Sequence, residues 1–400
     1  MSRLNPEVET FAKIKVVGVG GGGTNAVTRM VNTKIKGVDF VSINTDAQDL
    51  HHAQASGKIH IGKSVTRGLG TGMNPELGRQ AAEEAREEIQ DALKGSDLVF
   101  VTCGLGGGTG SGASPVVAEV AKDLGALVIG VITKPFTFEG VHRSKIAEEA
   151  LISLQSNVDA LVVIPNDRIF NMIAENTSFL QSFEIVDDVL RQAVQGISDL
   201  ITLPGIINVD FNDVKAIMQD AGSALMGIGI ASGEDRAKKA AQLAINSPLL
   251  EVSIEGAKGV LFNISGGTDL GMMEINQAAQ VITDSVDKEA KIIFGAVHDS
   301  RLKKGEIKIT VIAAGFGGAM NAISAKNIFS GRAMPVTNQI IKDAVDSPIN
   351  RAEIKYKQFE QAAADQEKKQ EQKGSRAFAP EIIKIMDETW DVPAFIRRKK

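Results

Sequence analysis

Two glycine-rich stretches, each lying between a short apolar run and an amphipathic one, limit what this chain can fold into more than any other feature. Residues 104–112 read GLGGGTGSG, six glycines in nine positions, and residues 18–23 read GVGGGG, five in six. Glycine loses more backbone entropy on folding than any other residue, so this density requires something to approach the backbone too closely for a side chain. IKVVGV (14–19) leads into one stretch and AVTRMVN leads out of it; LVFVTC (98–103) and ASPVVAEVAKDLG (113–125) flank the other. Apolar strand, glycine loop and helix is the order in which backbone N–H groups and a helix N-terminus wrap an anion, a phosphate above all. Pro115 stands where the first turn of the second helix is expected. A flexible surface turn would explain one such loop about as well, but two in the same setting argue against it.

The surrounding pattern extends the same theme. FVSIN (40–44), LVIGVIT (127–133) and ALVVIP (160–165) read as further buried parallel strands, and NPELGRQAAEEAREEIQDALKG (74–95) reads as one helix. Their alternation predicts a Rossmann-like, doubly wound α/β domain over residues 11–177. Next, SFLQSFEIVDDVLRQAVQGISDLIT (178–202) places Leu180, Phe183, Val186, Leu190, Val194, Ile197 and Ile201 on one stripe. A helix of that length reaches ~37 Å and is expected to connect two domains across 178–203. A second, smaller α/β domain follows at 204–316. Its helices are expected at 213–222, 235–246 and 270–286, and its strands at 259–265, 291–297 and 307–315. Residues 317–380 read as a disordered linker, polar and low in hydrophobes from Arg351 to Arg376. Residues 381–400, EIIKIMDETWDVPAFIRRKK, turn apolar again and hold the only tryptophan, Trp390.

Composition narrows the function classes. With 44 basic and 49 acidic residues the net charge is −5, which gives no global basic surface and predicts no nucleic-acid partner. No apolar run approaches the ~20 residues needed to span a bilayer, and the opening MSRLNPEVETFAKIK predicts no secretory signal. The single cysteine, Cys103, fits a reducing, cytoplasmic compartment and reads as a small buried spacer rather than a nucleophile.

Two short motifs invite other readings. Residues 57–64, GKIHIGKS, satisfy the P-loop pattern letter by letter, but Lys58, Ile59, His60 and Ile61 alternate like a strand and no helix follows. Gly18, Gly20 and Gly23 fit the dinucleotide pattern G-x-G-x-x-G, with Asp46 after the next strand. That leaves a nicotinamide-dependent oxidoreductase as an alternative, against which the second glycine loop counts.

GGGTGSG (106–112) resembles the signature loop of the tubulin and FtsZ superfamily. Together with GVGGGGTNAV (18–27), NTDAQ (44–48), TKPFTFEG (133–140), IPND (164–167), NVDFNDV (208–214) and the ending DVPAFIRRKK, it makes the chain similar to the bacterial cell-division FtsZ family over residues 14–316 and again at its tip. The resemblance implies a GTPase that polymerises with itself head to tail in the cytokinetic ring, beneath the membrane at midcell. A tubulin-superfamily GTPase with a role outside division is the nearer alternative.

The resemblance also assigns residues. Gly21, Gly22, Gly23, Thr24, Asn25, Gly107, Gly108, Thr109 and Gly110 would cradle the phosphates, with Thr71 and Gly72 of GLGTGMN near the terminal one. Glu139 and Arg143 would meet the ribose and adjacent phosphate; as a bare pair they read as a solvated i, i+4 ion pair. Guanine presents two adjacent donors, which one carboxylate accepts together. The resemblance gives that role to Asp187, with Phe183 stacking and Asn25 and Asn166 holding the base; sequence alone leaves Asp188 as a rival and core packing as the plainer reading of Phe183. Magnesium is implied as a bridge between phosphate oxygens, mostly through water, with no metal-binding set of side chains.

Asp210 and Asp213 are the implied hydrolytic acids. They follow the long helix, far along the chain from the glycines, and Asp213 also reads as an N-cap. Acids at one pole and nucleotide at the other are reconciled by head-to-tail stacking, in which one subunit's acids enter its neighbour's site. In the tail, Val392, Phe395 and Ile396 beside Arg397, Arg398, Lys399 and Lys400 read as a peptide for membrane-tethering and regulatory division proteins, so that contact with the membrane is indirect.

Overall fold

Val16, Leu98, Phe100 and Ile129 face one hydrophobic cluster, whereas their chain neighbours Val17, Val99, Val101 and Val128 face another. Strands apolar on both faces must be covered on both, which is the condition for a parallel sheet sandwiched by helices. The computed structural model describes residues 12–169, 177–203, 205–250, 253–299 and 301–316. In order these form β1 (Ile14–Val19), α1 (Gly20–Asn32), β2 (Val38–Asn44), α2 (Ala47–His52), β3 (Gly57–His60), α3 (Pro75–Glu84), α4 (Arg86–Leu93), β4 (Leu98–Gly104), α5 (Gly108–Asp123) and β5 (Leu127–Lys134). A 3-10 turn (Thr137–Glu139), α6 (Val141–Gln155), β6 (Ala160–Pro165) and α7 (Asn166–Ile169) complete the first half. The second half holds α8 (Phe179–Thr202), α9 (Phe211–Met218), β7 (Gly222–Ser232), α10 (Arg236–Ile245), β8 (Gly259–Gly266), α11 (Met272–Thr283), β9 (Lys291–His298) and β10 (Glu306–Ala314). The linker and tail expected at 317–400 lie outside the described residues.

The ten strands among the described residues belong to one sheet, ordered β3-β2-β1-β4-β5-β6-β7-β10-β8-β9. The first six are parallel in the doubly wound order, which reverses between β1 and β4. β7 joins β6 through only three residue pairs, Ala160–Gly222, Leu161–Ser223 and Val162–Ala224, and then runs antiparallel to β10. α8 packs on the same face as α1, and its cluster reaches Leu261 of β8 and Ile312 of β10.

Local chemistry explains most boundaries and several departures from expectation. Ser178 and Gln181 form a reciprocal cap that starts α8 close to its expected position. Leu180, expected on its buried stripe, is instead 71% exposed. The helix expected over 74–95 is two helices: at Ala85 the N–H bonds to Ala82, three residues back, and the backbone turns (φ −105°, ψ 18°). Asn74 caps the first of them. α5 begins at Gly108, so Pro115 lies inside the helix rather than in its first turn. The cap of α9 is Asp210, not Asp213: the Asp210 carboxylate accepts from Asp213 N at 2.8 Å, while Asp213 accepts from Asp210 N at 3.4 Å.

β7 and α6 have no counterpart among the expected elements. β7 carries Gly227 and Gly229, and a Cβ on Gly227 would strike the Ala244 carbonyl of α10. Gly227→Ala should therefore destabilise the fold by about 1–3 kcal/mol through overpacking, with urea denaturation as the measurement.

Candidate functional site

α1 and α5 both spring from the point where the strand order reverses. From Gly20 in one run and from Gly108 in the other, the glycines belong to the first helical turns rather than to a loop ahead of them, while Gly104, Gly106 and Gly107 precede α5. The two runs are pressed against each other and against the sheet. A Cβ on Gly20 would lie 2.8 Å from Gly110 N, and one on Gly23 would lie 2.5 Å from the Thr102 carbonyl. A Cβ on Gly108 would collide with Thr71 Oγ1 and lie 2.7 Å from Asn74 N. Those glycines are required by the protein's own backbone. Gly107 differs: it has ordinary extended geometry (φ −89°), and a Cβ there would find nothing within 4 Å. Its bare face opens into a cavity.

That cavity encloses about 500 Å³. Its glycine wall comprises Gly20, Gly21, Gly22, Gly104, Gly107, Gly108 and Gly110. Val19 and Gly107, the N-cap residues of α1 and α5, cap no N–H with a side chain, so first-turn donors of both helices remain for an anion. Hydroxyls reinforce this wall: Thr109 Oγ1 is 2.6 Å from Thr45 Oγ1 and 3.2 Å from Thr71 Oγ1. Beneath it lies Cys103, fully buried, its thiol pushed up to about 12 by desolvation.

Glu139 and Arg143 form an ion pair on another wall, and Glu139 also accepts from Phe136 N at 2.9 Å. At the far end α8 contributes Phe183, Val186, Asp187 and Leu190. Phe136 packs edge-on to Phe183 with ring centroids 5.5 Å apart. Asn166 is 5% exposed, and its Oδ1 has no partner, an acceptor left over at the cavity wall. Burial pushes the Asp187 carboxyl up to about 6 against the pull of Arg29. Asp188 turns away, bonding Arg191 at 2.7 Å and Gln192 at 2.6 Å, so Asp187 is the acid that faces the cavity.

Of the contacts expected from sequence, all but Gly23, Thr24 and Gly72 line this cavity. Gly23 is packed against β4, Thr24 is buried with its hydroxyl unpartnered, and Gly72 has φ +57° with open space around it. Thr133 and Pro135, which sequence reasoning leaves out, line the cavity from the start of TKPFTFEG. Asp210 and Asp213 do not line it; they are exposed, past the end of α8. The P-loop look-alike is engaged elsewhere, with Lys63 bonded to Glu88 and Ser64 to Glu84. Asp46, the acid of the dinucleotide pattern, caps α2.

Residues 13–174 match the Tubulin/FtsZ family, GTPase domain, and residues 222–317 match the FtsZ family, C-terminal domain. The chain is similar to an empty FtsZ dimer from M. jannaschii, at 46% identity over 78% of this chain and 90% of that one, with a TM-score of 0.75. A mutant FtsZ from the same organism is 47% identical over 77% and 92%, with a TM-score of 0.74. CetZ2 from Haloferax volcanii, a GTPγS-bound protofilament, shares the fold at 20% identity, covering 78% and 97%, with a TM-score of 0.66. A two-part α/β fold with a glycine cavity at the strand reversal thus defines a GTPase of the tubulin/FtsZ class. Within that class the chain belongs to the FtsZ family.

The two kinds of glycine make separable predictions. Gly107→Ala should leave stability within about 0.5 kcal/mol while weakening GTP binding at least roughly tenfold, because only a ligand meets the new methyl. Gly108→Ala should lower the melting temperature even without nucleotide. Calorimetric titration and thermal melts check both.

Proposed function

We propose that this GTPase polymerises head to tail into filaments of the bacterial division ring at midcell, and that each hydrolysis is completed by the acids of the adjoining subunit. The observation that carries this reading is the separation of parts. The cavity holds donors for phosphate and an acceptor for guanine, while Asp210 and Asp213 lie beyond α8, whose last cavity residue, Leu190, precedes its end at Thr202 by about 18 Å. A neighbour stacked on the cavity would bring a second pair of acids to it, and an unclosed contact of that kind propagates as a filament. That relatives are described as a dimer and as a protofilament supports this reading.

In this reading the first-turn N–H groups of α1 and α5 hold the β- and γ-phosphates. Thr71 and Gly72 sense the γ-phosphate, and Glu139 with Arg143 meets the ribose and adjacent phosphate. Asp187 accepts from guanine N1–H and the exocyclic amine, Phe183 stacks, and Asn25 and Asn166 complete the base pocket. Adenine, which lacks that donor pair, would leave Asp187 buried and unpaired. The neighbour's Asp210 and Asp213 orient and polarise the water that attacks the γ-phosphorus, giving GDP and phosphate. Loss of the γ-phosphate then weakens the contact that made hydrolysis possible.

Magnesium fits this chemistry as an ion carried by the phosphates. The groups near Gly108 and Thr109 are hydroxyls, and among the described residues no cluster of three histidine, cysteine or acidic side chains could hold a metal. When bound it would neutralise charge between phosphate oxygens.

The nucleotide domain is read as 11–177, the connecting helix as 178–203 and the activating domain as 204–316; the limits of the two family matches support that division. No helix among the described residues is long and apolar enough to cross a membrane, which is compatible with attachment through partner proteins that bind residues 381–400. The oxidoreductase alternative is dropped on the family match.

Asp213→Ala should keep GTP affinity within about twofold and cut phosphate release by roughly a hundredfold or more, while filaments still sediment. Asp213→Asn, which retains an acceptor for the Asp210 N–H, separates the capping role from the chemistry. Normal turnover in both variants would remove this acid from the mechanism. Light scattering with GTP, ATP and GDP, paired with phosphate release, tests the reading as a whole.

A further inference from the structure

Arg29 lies in the last turn of α1, outside the cavity wall, yet its guanidinium is fixed at the base end of that cavity. Its Nη1 donates to the Glu184 carbonyl at 2.8 Å, and its Nη2 lies 3.5 Å from the Glu184 carboxylate. Glu184 is one turn before Asp187 on α8. The helix whose first turn forms part of the glycine wall is therefore tied, near its other end, to the helix that presents Asp187.

We propose that Arg29 is a positioning residue for guanine recognition: anchored on α8, it sets a fixed positive charge behind Asp187 and keeps that carboxyl in the ionised form that accepts from the guanine edge. The proposal rests on the reading of Asp187 as the base acceptor. It names a function for a residue that does not line the cavity.

The electrostatic need is visible in the surroundings of Asp187. Desolvation is the largest influence holding the neutral acid in place, and Glu184 and Asp188 add negative charge on the same helix. Arg29, from α1, opposes all three. Asp188 is occupied by Arg191 and Gln192, and across the cavity Glu139 and Arg143 neutralise each other. Among the described residues the one Lys or Arg that lines the cavity is Arg143, and Glu139 holds it. A protonated Asp187 would turn a donor toward the two donors of guanine and keep only part of its accepting capacity. Without Arg29, the carboxyl that already titrates near 6 would titrate higher, and more of the free protein would present the wrong form near neutrality.

The test measures GDP binding to the full chain from about pH 5.5 to about pH 8.5, for the unmodified protein, Arg29→Met, Arg29→Lys and Asp187→Asn. The ratio of variant to unmodified Kd at each pH cancels the titration of the nucleotide phosphates. For Arg29→Met that ratio should grow as pH falls, by roughly fivefold between pH 8.5 and pH 6 for a displacement of about one pH unit. For Arg29→Lys, which keeps the charge, the ratio should stay flat, and Arg29→Met in an Asp187→Asn background should also lose its pH dependence. A flat ratio for Arg29→Met, with a uniform loss of affinity, would mean that Arg29 merely ties two helices together, and would overturn the proposal while leaving Asp187 in its role. If Asp187→Asn kept the full preference for GDP over ADP, the base-acceptor reading would fail and the proposal with it.

Discussion

The contact on which this structure turns is backbone against backbone, where α1 and α5 leave the sheet side by side. Gly20 meets Gly110, Gly23 meets the Thr102 carbonyl, and Gly78 of α3 meets the Gly108 carbonyl, all at distances that forbid a Cβ. This interlocking aims two uncapped helix N-termini into one volume, where their partial positive charges add. Its cost is the backbone entropy of the glycines, which the long apolar strands around them offset by burial on both faces. The glycine wall is thus as much a product of packing inside the protein as of any ligand, and of the wall's glycines only Gly107 would find nothing of the protein within 4 Å of a Cβ.

α8 forms the end of the cavity away from that wall. It lies along the same face as α1, shares a cluster with it, and presents Phe183 and Asp187 at one end while its other end leads to the Asp210–Asp213 cap. Rotation around the helix separates two adjacent acids: Asp187 faces the cavity, and its immediate neighbour Asp188 is spent on Arg191 and Gln192. In the reading offered above, the reciprocal Asp210–Asp213 bonds give the hydrolytic acids a second duty. The groups that would serve a neighbour's chemistry also start a helix.

Where local chemistry and tertiary packing agree, the order of residues is enough. The doubly wound first half, the span of α8 and the pairing of Glu139 with Arg143 follow from periodicity and spacing. Where a tertiary contact overrides a local preference, the residue pattern misleads. β7 escapes notice because GSALMGIGIAS has the glycine content of a loop; those glycines admit the backbone of α10, which no single-strand pattern reveals. α1 and α5 start earlier than their composition suggests for the same reason, since glycine is a poor helix former on its own. Leu180 continues the stripe in sequence but sits at the exposed first turn of α8. Asp187 cannot be separated from Asp188 without knowing which side of α8 faces the cavity.

Cys103 is the chain's only cysteine, sealed beneath the glycine wall with its thiol held protonated far above neutrality. The thiolate is the reactive species, so the folded molecule offers no native target to maleimides or iodoacetamides. A cysteine introduced anywhere on the exterior would be the sole site a thiol-directed dye could reach, and fluorophores could be attached one per subunit without first deleting the native residue.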